Sequence, residues 1–109
     1  MDTELNQNER ILKDGTANFQ KGMEAVGGKL YLTNQRLVFE AHLINVQRGV
    51  TEIGLSDIQS SEKCWTKFAG IVPLVPNSLK VITKQGKEHR FALYGRQAWA
   101  AAIEVAQNA

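Results

Sequence analysis

Gly28-Lys-Leu-Tyr-Leu-Thr-Asn-Gln-Arg-Leu-Val-Phe39 decides how the rest of the chain is read. Two short runs of alternating apolar character flank Thr33-Asn34-Gln35-Arg36, the pattern of a β-hairpin. Parity tests the pairing. A loop of two residues, Asn34-Gln35, or of four, Thr33 to Arg36, sets Leu32 opposite Leu37 and Leu30 opposite Phe39. All four apolar residues then share one face. A loop of three residues sets Leu32 opposite Val38 and Leu30 opposite Glu40 instead. A one-residue slip turns a strand's apolar set to the other face, so an even loop is expected. Asn34 tolerates positive φ at the first turn position, where Gln35 suits the second less well than glycine.

At 109 residues the chain is long enough for one core and not two. Its 43% hydrophobic and 22% charged content is that of an ordinary globular protein. No apolar run reaches the roughly 18 residues of a spanning helix, and the polar start Met1 to Arg10 does not read as a signal peptide. With Cys64 as the lone cysteine no internal disulfide can form, and a cytoplasmic location is expected. A net charge of +2 is too small and too scattered to argue for nucleic acid.

In chain order, residues 1–10 read as a flexible N-terminal tail before a domain at 11–109, with Asp14-Gly15 as a turn. A first strand spans Thr16 to Lys21, with Ala17 and Phe19 on one face. Lys21 to Gly28, holding three glycines, reads as a flexible loop into the hairpin. His42 to Gly49 is a connection, with Asn45 given a loop-structuring role. Val50 to Leu55 is a strand, and Ser56-Asp57 is a turn. Ile58 to Lys67 alternates poorly and is expected at a sheet edge. Pro73 and Pro76 keep Phe68 to Ser78 out of any central strand. Ser78 to Lys84 and Lys87 to Tyr94 form a second hairpin around Gln85-Gly86. Trp99, Ala102, Ile103 and Ala106 then recur at helical spacing, which predicts an α-helix over Arg96 to Gln107.

This order, with Gly28 to Phe39 at its centre, resembles the GRAM domain of the pleckstrin-homology-like superfamily. Ile53-Gly-Leu-Ser-Asp-Ile58, Pro76-Asn-Ser-Leu-Lys-Val81 and the closing helix bearing Trp99 support the likeness, which runs from about Ile11 to the C-terminus. It implies a mainly β fold: a partly open barrel of about seven antiparallel strands in two near-orthogonal sheets, capped by one C-terminal α-helix. Leu30, Leu32, Leu37, Phe39, Trp99 and Ile103 are the expected core.

No nucleophile elbow, HExxH or Walker-type loop is present, and His42, His89 and Cys64 lack metal-ligand spacing. No enzyme activity, metal or cofactor is expected. The resemblance implies an open end that gathers the loops bearing Lys21, Lys29, Arg48, Lys84 and Lys87, where an anionic lipid headgroup would bind. Strand two reads Lys29-Leu30-Tyr31, however, without the Arg-x-Arg of phosphoinositide-binding pleckstrin-homology domains. Ile71, Val72, Leu74 and Val75 form an apolar loop that could dock a partner, but the preferred reading tucks alternate residues against the barrel edge while the prolines protect that edge from pairing. The expectation is therefore a non-catalytic adaptor or regulatory module, a monomer or weak homodimer, that binds a protein partner. Weak peripheral contact with anionic membrane is the alternative. Within the hairpin, Leu32→Ala is expected to cost about 2–5 kcal/mol and Thr33→Ala, in the turn, far less.

Overall fold

The computed structural model describes residues 1–21, 24–42, 49–64, 67–68, 72–73 and 78–109. Its strands are β1 (Ile11–Lys21), β2 (Glu24–Thr33), β3 (Arg36–Ala41), β4 (Val50–Gly54), β5 (Ile58–Cys64), β6 (Lys67–Phe68), β7 (Val72–Pro73), β8 (Ser78–Thr83) and β9 (Glu88–Leu93). A 3₁₀ turn, Leu55–Asp57, joins β4 to β5, and the helix α1 (Arg96–Gln107) follows the last strand.

Seven strands form one continuous antiparallel sheet in the order β4-β3-β2-β1-β9-β8-β5; β6 and β7 make a separate two-residue pair. The expected two sheets are thus joined through β1, whose second half pairs with β9 from Ala17↔Leu93 to Gln20↔Arg90. In the central hairpin Leu30 lies opposite Phe39 and Leu32 opposite Leu37. All four side chains are buried in the core together with Phe19, Leu79, Val81 and Phe91. Strand β5 is at the edge, bonded only to β8.

Helix α1 buries Trp99, Ile103 and Ala106 along one stripe. It runs antiparallel to β5 and is fastened to it at both ends. Arg96 Nη1 donates to the Cys64 carbonyl at 2.7 Å, and Gln107 Nε2 to the Ile58 carbonyl at 2.9 Å. A sheet edge otherwise presents bare backbone groups, and two of those on β5 are satisfied by the helix.

Three expectations need correction. Asp14-Gly15 is not a turn, because β1 begins at Ile11 and runs through it. Gly27-Gly28 is not a flexible loop but the interior of β2. A Cβ on Gly28 would meet the Glu40 carbonyl oxygen at 2.2 Å and Phe39 Cζ at 2.7 Å, so glycine there permits close approach of β3. Residues 1–10 are not loose. Glu9 is buried, and its carboxylate takes Arg36 Nε at 2.8 Å, Arg36 Nη2 at 2.9 Å and the Thr33 hydroxyl at 2.6 Å. Arg36 also reaches Glu52 and the Glu4 carbonyl. Further along, the Thr3 amide and hydroxyl both donate to Glu40 at 2.6 Å. The segment therefore straps the outer face of β3, which is buried on both sides.

The same strap explains the turn. Neither Asn34 nor Gln35 takes positive φ; among the described non-glycine residues only Asn8 does, at 63°. Instead the Thr33 hydroxyl accepts the Gln35 and Arg36 amides, and the Asn34 side chain bonds Arg10 and Asn8 in the strap. Thr33 is accordingly fully buried.

The Arg36 guanidinium, against the opposing cost of burial, holds Glu9 down from 4.5 to about 2, with Thr33 and the Asn6 amide helping. A carboxylate lowered on folding stabilises above its unfolded value and loses that contribution as pH falls through the folded one. Acid unfolding through Glu9 thus belongs between about pH 4.5 and 2, and Glu9→Gln should flatten that limb in a pH series of urea melts. The turn expectation is also revised. Thr33→Ala orphans buried partners and should cost about 2–3 kcal/mol, a loss comparable with the lower range for Leu32→Ala in the same melts. Gly28→Ala should cost about 1–3 kcal/mol through overpacking against backbone. Gly27→Ala, whose nearest obstacle is the Asn18 side chain at 3.2 Å, should cost less.

Candidate functional site

Between β1, the end of β5 and the start of α1 lies an open hollow of ≈ 680 Å³. Local sequence explains each contributor. In β1, Ala17 and Phe19 face the core, so Thr16 and Asn18 are left on the exposed side and line the hollow. Lys63 stands opposite the fully buried Leu79, on the core-facing side of β5. It is one residue from the strand's end and remains exposed. Gly95, at φ 74°, turns the chain sharply from β9 into α1, which brings Arg96 beside Lys63 and leaves Tyr94 96% exposed at the rim. His42, just past β3, completes the wall.

None of the described lining residues is a carboxylate. Lys63 and His42 have no acidic partner among the described residues, and Arg96 is held in place by its bond to Cys64. The N-terminal end of α1 opens on the same space, with no side chain capping its first amides. Those amides and the helix dipole add positive potential to that of the two cations. The arrangement suits an anion. Among the described residues no three of His, Cys, Asp and Glu gather as metal ligands would, and no helix is long and apolar enough to cross a membrane.

The cations named from the sequence are distributed differently. Lys29 pairs with Asp14 at 3.5 Å and lies over the Tyr31 ring at 5.6 Å. With His42, Asp2, Tyr31 and Glu40 it borders a small hollow of ≈ 170 Å³. Lys84 and Lys87 are exposed in the β8–β9 turn; the Lys84 amide bonds the Asp57 carbonyl, and its side chain borders a different hollow with Asn34, Gln35 and the last turn of α1. Lys21 is described as the last residue of β1, and Arg48 lies outside the described residues. Of the apolar loop, Ile71, Leu74 and Val75 also lie outside them, and Val72 is described only through its backbone pairing with Phe68. Lys63 and Arg96 were not singled out from the sequence. The signals available were Gly95-Arg96 at the start of a strongly periodic helix and, separately, a poorly alternating edge strand.

No curated protein matches the chain. Its fold is similar to the C-terminal PH domain of human pleckstrin, at 17% identity and a TM-score of 0.75, over 98% of this chain and 97% of that one. It is similar also to the C-terminal domain of an unknown protein from Leishmania infantum, at 19% identity and 0.75, over 93% and 86%. A third likeness is the Slm1 PH domain in complex with phosphoserine, at 15% identity and 0.67, over 91% and 97%. The model of the GRAM domain family matches residues 1–108. With the central hairpin, the seven-stranded sheet and the closing helix all in place, the chain belongs to the GRAM domain family, on the pleckstrin-homology-like fold.

Proposed function

We propose that this chain is a non-catalytic recognition module that docks on anionic membrane, taking a phosphate-bearing lipid headgroup into the hollow beside Lys63 and Arg96. One observation carries the reading: two cations from distant parts of the chain line one hollow at a helix N-terminus, with no carboxylate among its described lining residues. An anion there gains both point charges and the positive end of the helix dipole. The exposed ring of Tyr94 at the rim suits the headgroup layer, where amphipathic aromatics settle. That a PH domain of this fold has been solved with phosphoserine supports the chemistry by analogy of fold. The association would be peripheral. A protein partner is the other reading; the loop of Ile71, Val72, Leu74 and Val75 that could dock one has no side chain among the described residues.

The test is co-sedimentation with liposomes of phosphatidylserine, with or without a phosphoinositide at matched total charge. Binding is expected at 0.1 M salt and should be largely lost at 1 M, where the Debye length is about 3 Å. Each cation near the surface is worth about 1 kcal/mol, so Lys63→Glu should weaken binding by roughly tenfold. Lys29→Glu, which removes a lysine already paired with Asp14, should do less. Loss of binding in Lys84→Glu/Lys87→Glu with none in Lys63→Glu would move the site to the loop end. Absence of binding to every liposome would leave a protein partner as the better reading.

A further inference from the structure

His89 is a buried titratable group that neither the strap nor the hollow uses. Only 6% of it is exposed. It stands opposite Val81 of β8, and its ring stacks on Phe19 of β1 with centroids 5.8 Å apart and planes at 24°. Phe19 in turn stacks on Phe91 at 4.8 Å and meets Phe39 edge-on at 5.4 Å. The imidazole is thus the fourth ring of a cluster tying β9 to β1 and β3. Its Nδ1 is buried and has no hydrogen-bond partner.

A neutral imidazole can leave Nδ1 as an idle acceptor, whereas an imidazolium must donate from both nitrogens. No described residue accepts from its Nδ1. From β1 and β3 its neighbours are Phe19 and the Phe39 ring beyond, and from β8 it meets Val81. On its own strand, Glu88 and Arg90 pair with each other at 3.5 Å. Lys80 of β8 pairs with Glu62. The charge that acts on the ring is Lys87, of like sign.

We propose that His89 is an acid-sensitive latch: neutral, it holds β9 and the β8–β9 turn against β1, and on taking a proton it leaves the aromatic cluster and lets them open. Burial, and then the Lys87 charge, hold its pKa below the ordinary 6.5. The sign follows from linkage. A group that binds its proton more weakly when folded stabilises fully above its unfolded value and loses that contribution as pH falls from 6.5 toward the folded one. This window opens at 6.5, above the 4.5 at which that of Glu9 opens, so the first acid response can be assigned to His89. The latch needs no ligand and does not rest on the lipid reading.

The chain has two histidines, so imidazole resonances follow each in the unmodified protein, with His42→Gln to assign them. His89 is expected to titrate below the free-imidazole range. Across the same window, amide exchange at Phe19 and Phe91, corrected for intrinsic rates, should rise about fivefold or more between pH 7.5 and 5. His89→Phe keeps a ring in the cluster and should abolish that rise. Titration of His89 at or above 6.5, or exchange indifferent to pH in this range, would overturn the latch, and so would an unchanged acid response in a folded His89→Phe protein. The first two readouts use the unmodified protein and stand even where the variant misfolds.

Discussion

The bidentate contact between Arg36 and Glu9 is what the rest of the architecture depends on. Alternation of apolar residues forbids odd slips of the central hairpin, because those would expose Leu30, Leu32, Leu37 and Phe39. It does not forbid a slip of two, which keeps every side chain on its face. The ion pair does, since Arg36 must meet Glu9 while Thr33 bonds both Glu9 and the amide of Arg36. A buried ion pair adds little net stability over apolar packing, but breaking it leaves a charge stranded, which makes it an effective selector of register. Glu40 extends the device to the other end of β3. Burial pushes its carboxyl up, yet the bonds from Thr3 and Asp2 more than offset this and leave it lowered.

The second organising contact is the fastening of α1 along β5. Gln107 and Arg96 span the helix and meet carbonyls near either end of the strand, so the helix is fixed in both position and direction. Its buried stripe then closes the core through Trp99 and Ile103. The hollow is a by-product of this geometry. Because the helix runs antiparallel to β5, its positive end arrives where β5 finishes, and Arg96 comes to line the same hollow as Lys63. Fold and candidate site share one cause here.

How much of this was legible follows from the range of each interaction. The hairpin register and the span of α1 rest on periodicities within a dozen residues, and reading them needs no knowledge of the remainder. Glu9 and Thr33 are different. A polar residue in a polar stretch looks solvated until its partner, 24 residues on, is known to fold over it. Gly27-Gly28 read as a loop because glycine signals freedom locally, whereas here it signals the approach of Glu40 and Phe39 from β3. Lys63 and Arg96 lie far apart in sequence, and only the helix–strand alignment unites them. The loop lysines were grouped by the family likeness, which says which loops share an end but not which side chains are already engaged, as Lys29 is with Asp14.

The late position of α1 in the chain has a consequence for synthesis on the ribosome. Every strand of the sheet emerges before the segment that satisfies the Ile58 and Cys64 carbonyls and covers the core with Trp99. Until Arg96 to Gln107 clear the tunnel, the nascent sheet has a naked margin at β5 and an apolar mouth. The strap precedes the hairpin in the chain, so its contacts with Arg36 and Glu40 can form before α1 emerges and commit the hairpin end early. The growing polypeptide is consequently half secured, with its vulnerable side exposed for the time taken to translate the helix, an interval in which chaperones that grip exposed apolar strands would find their substrate.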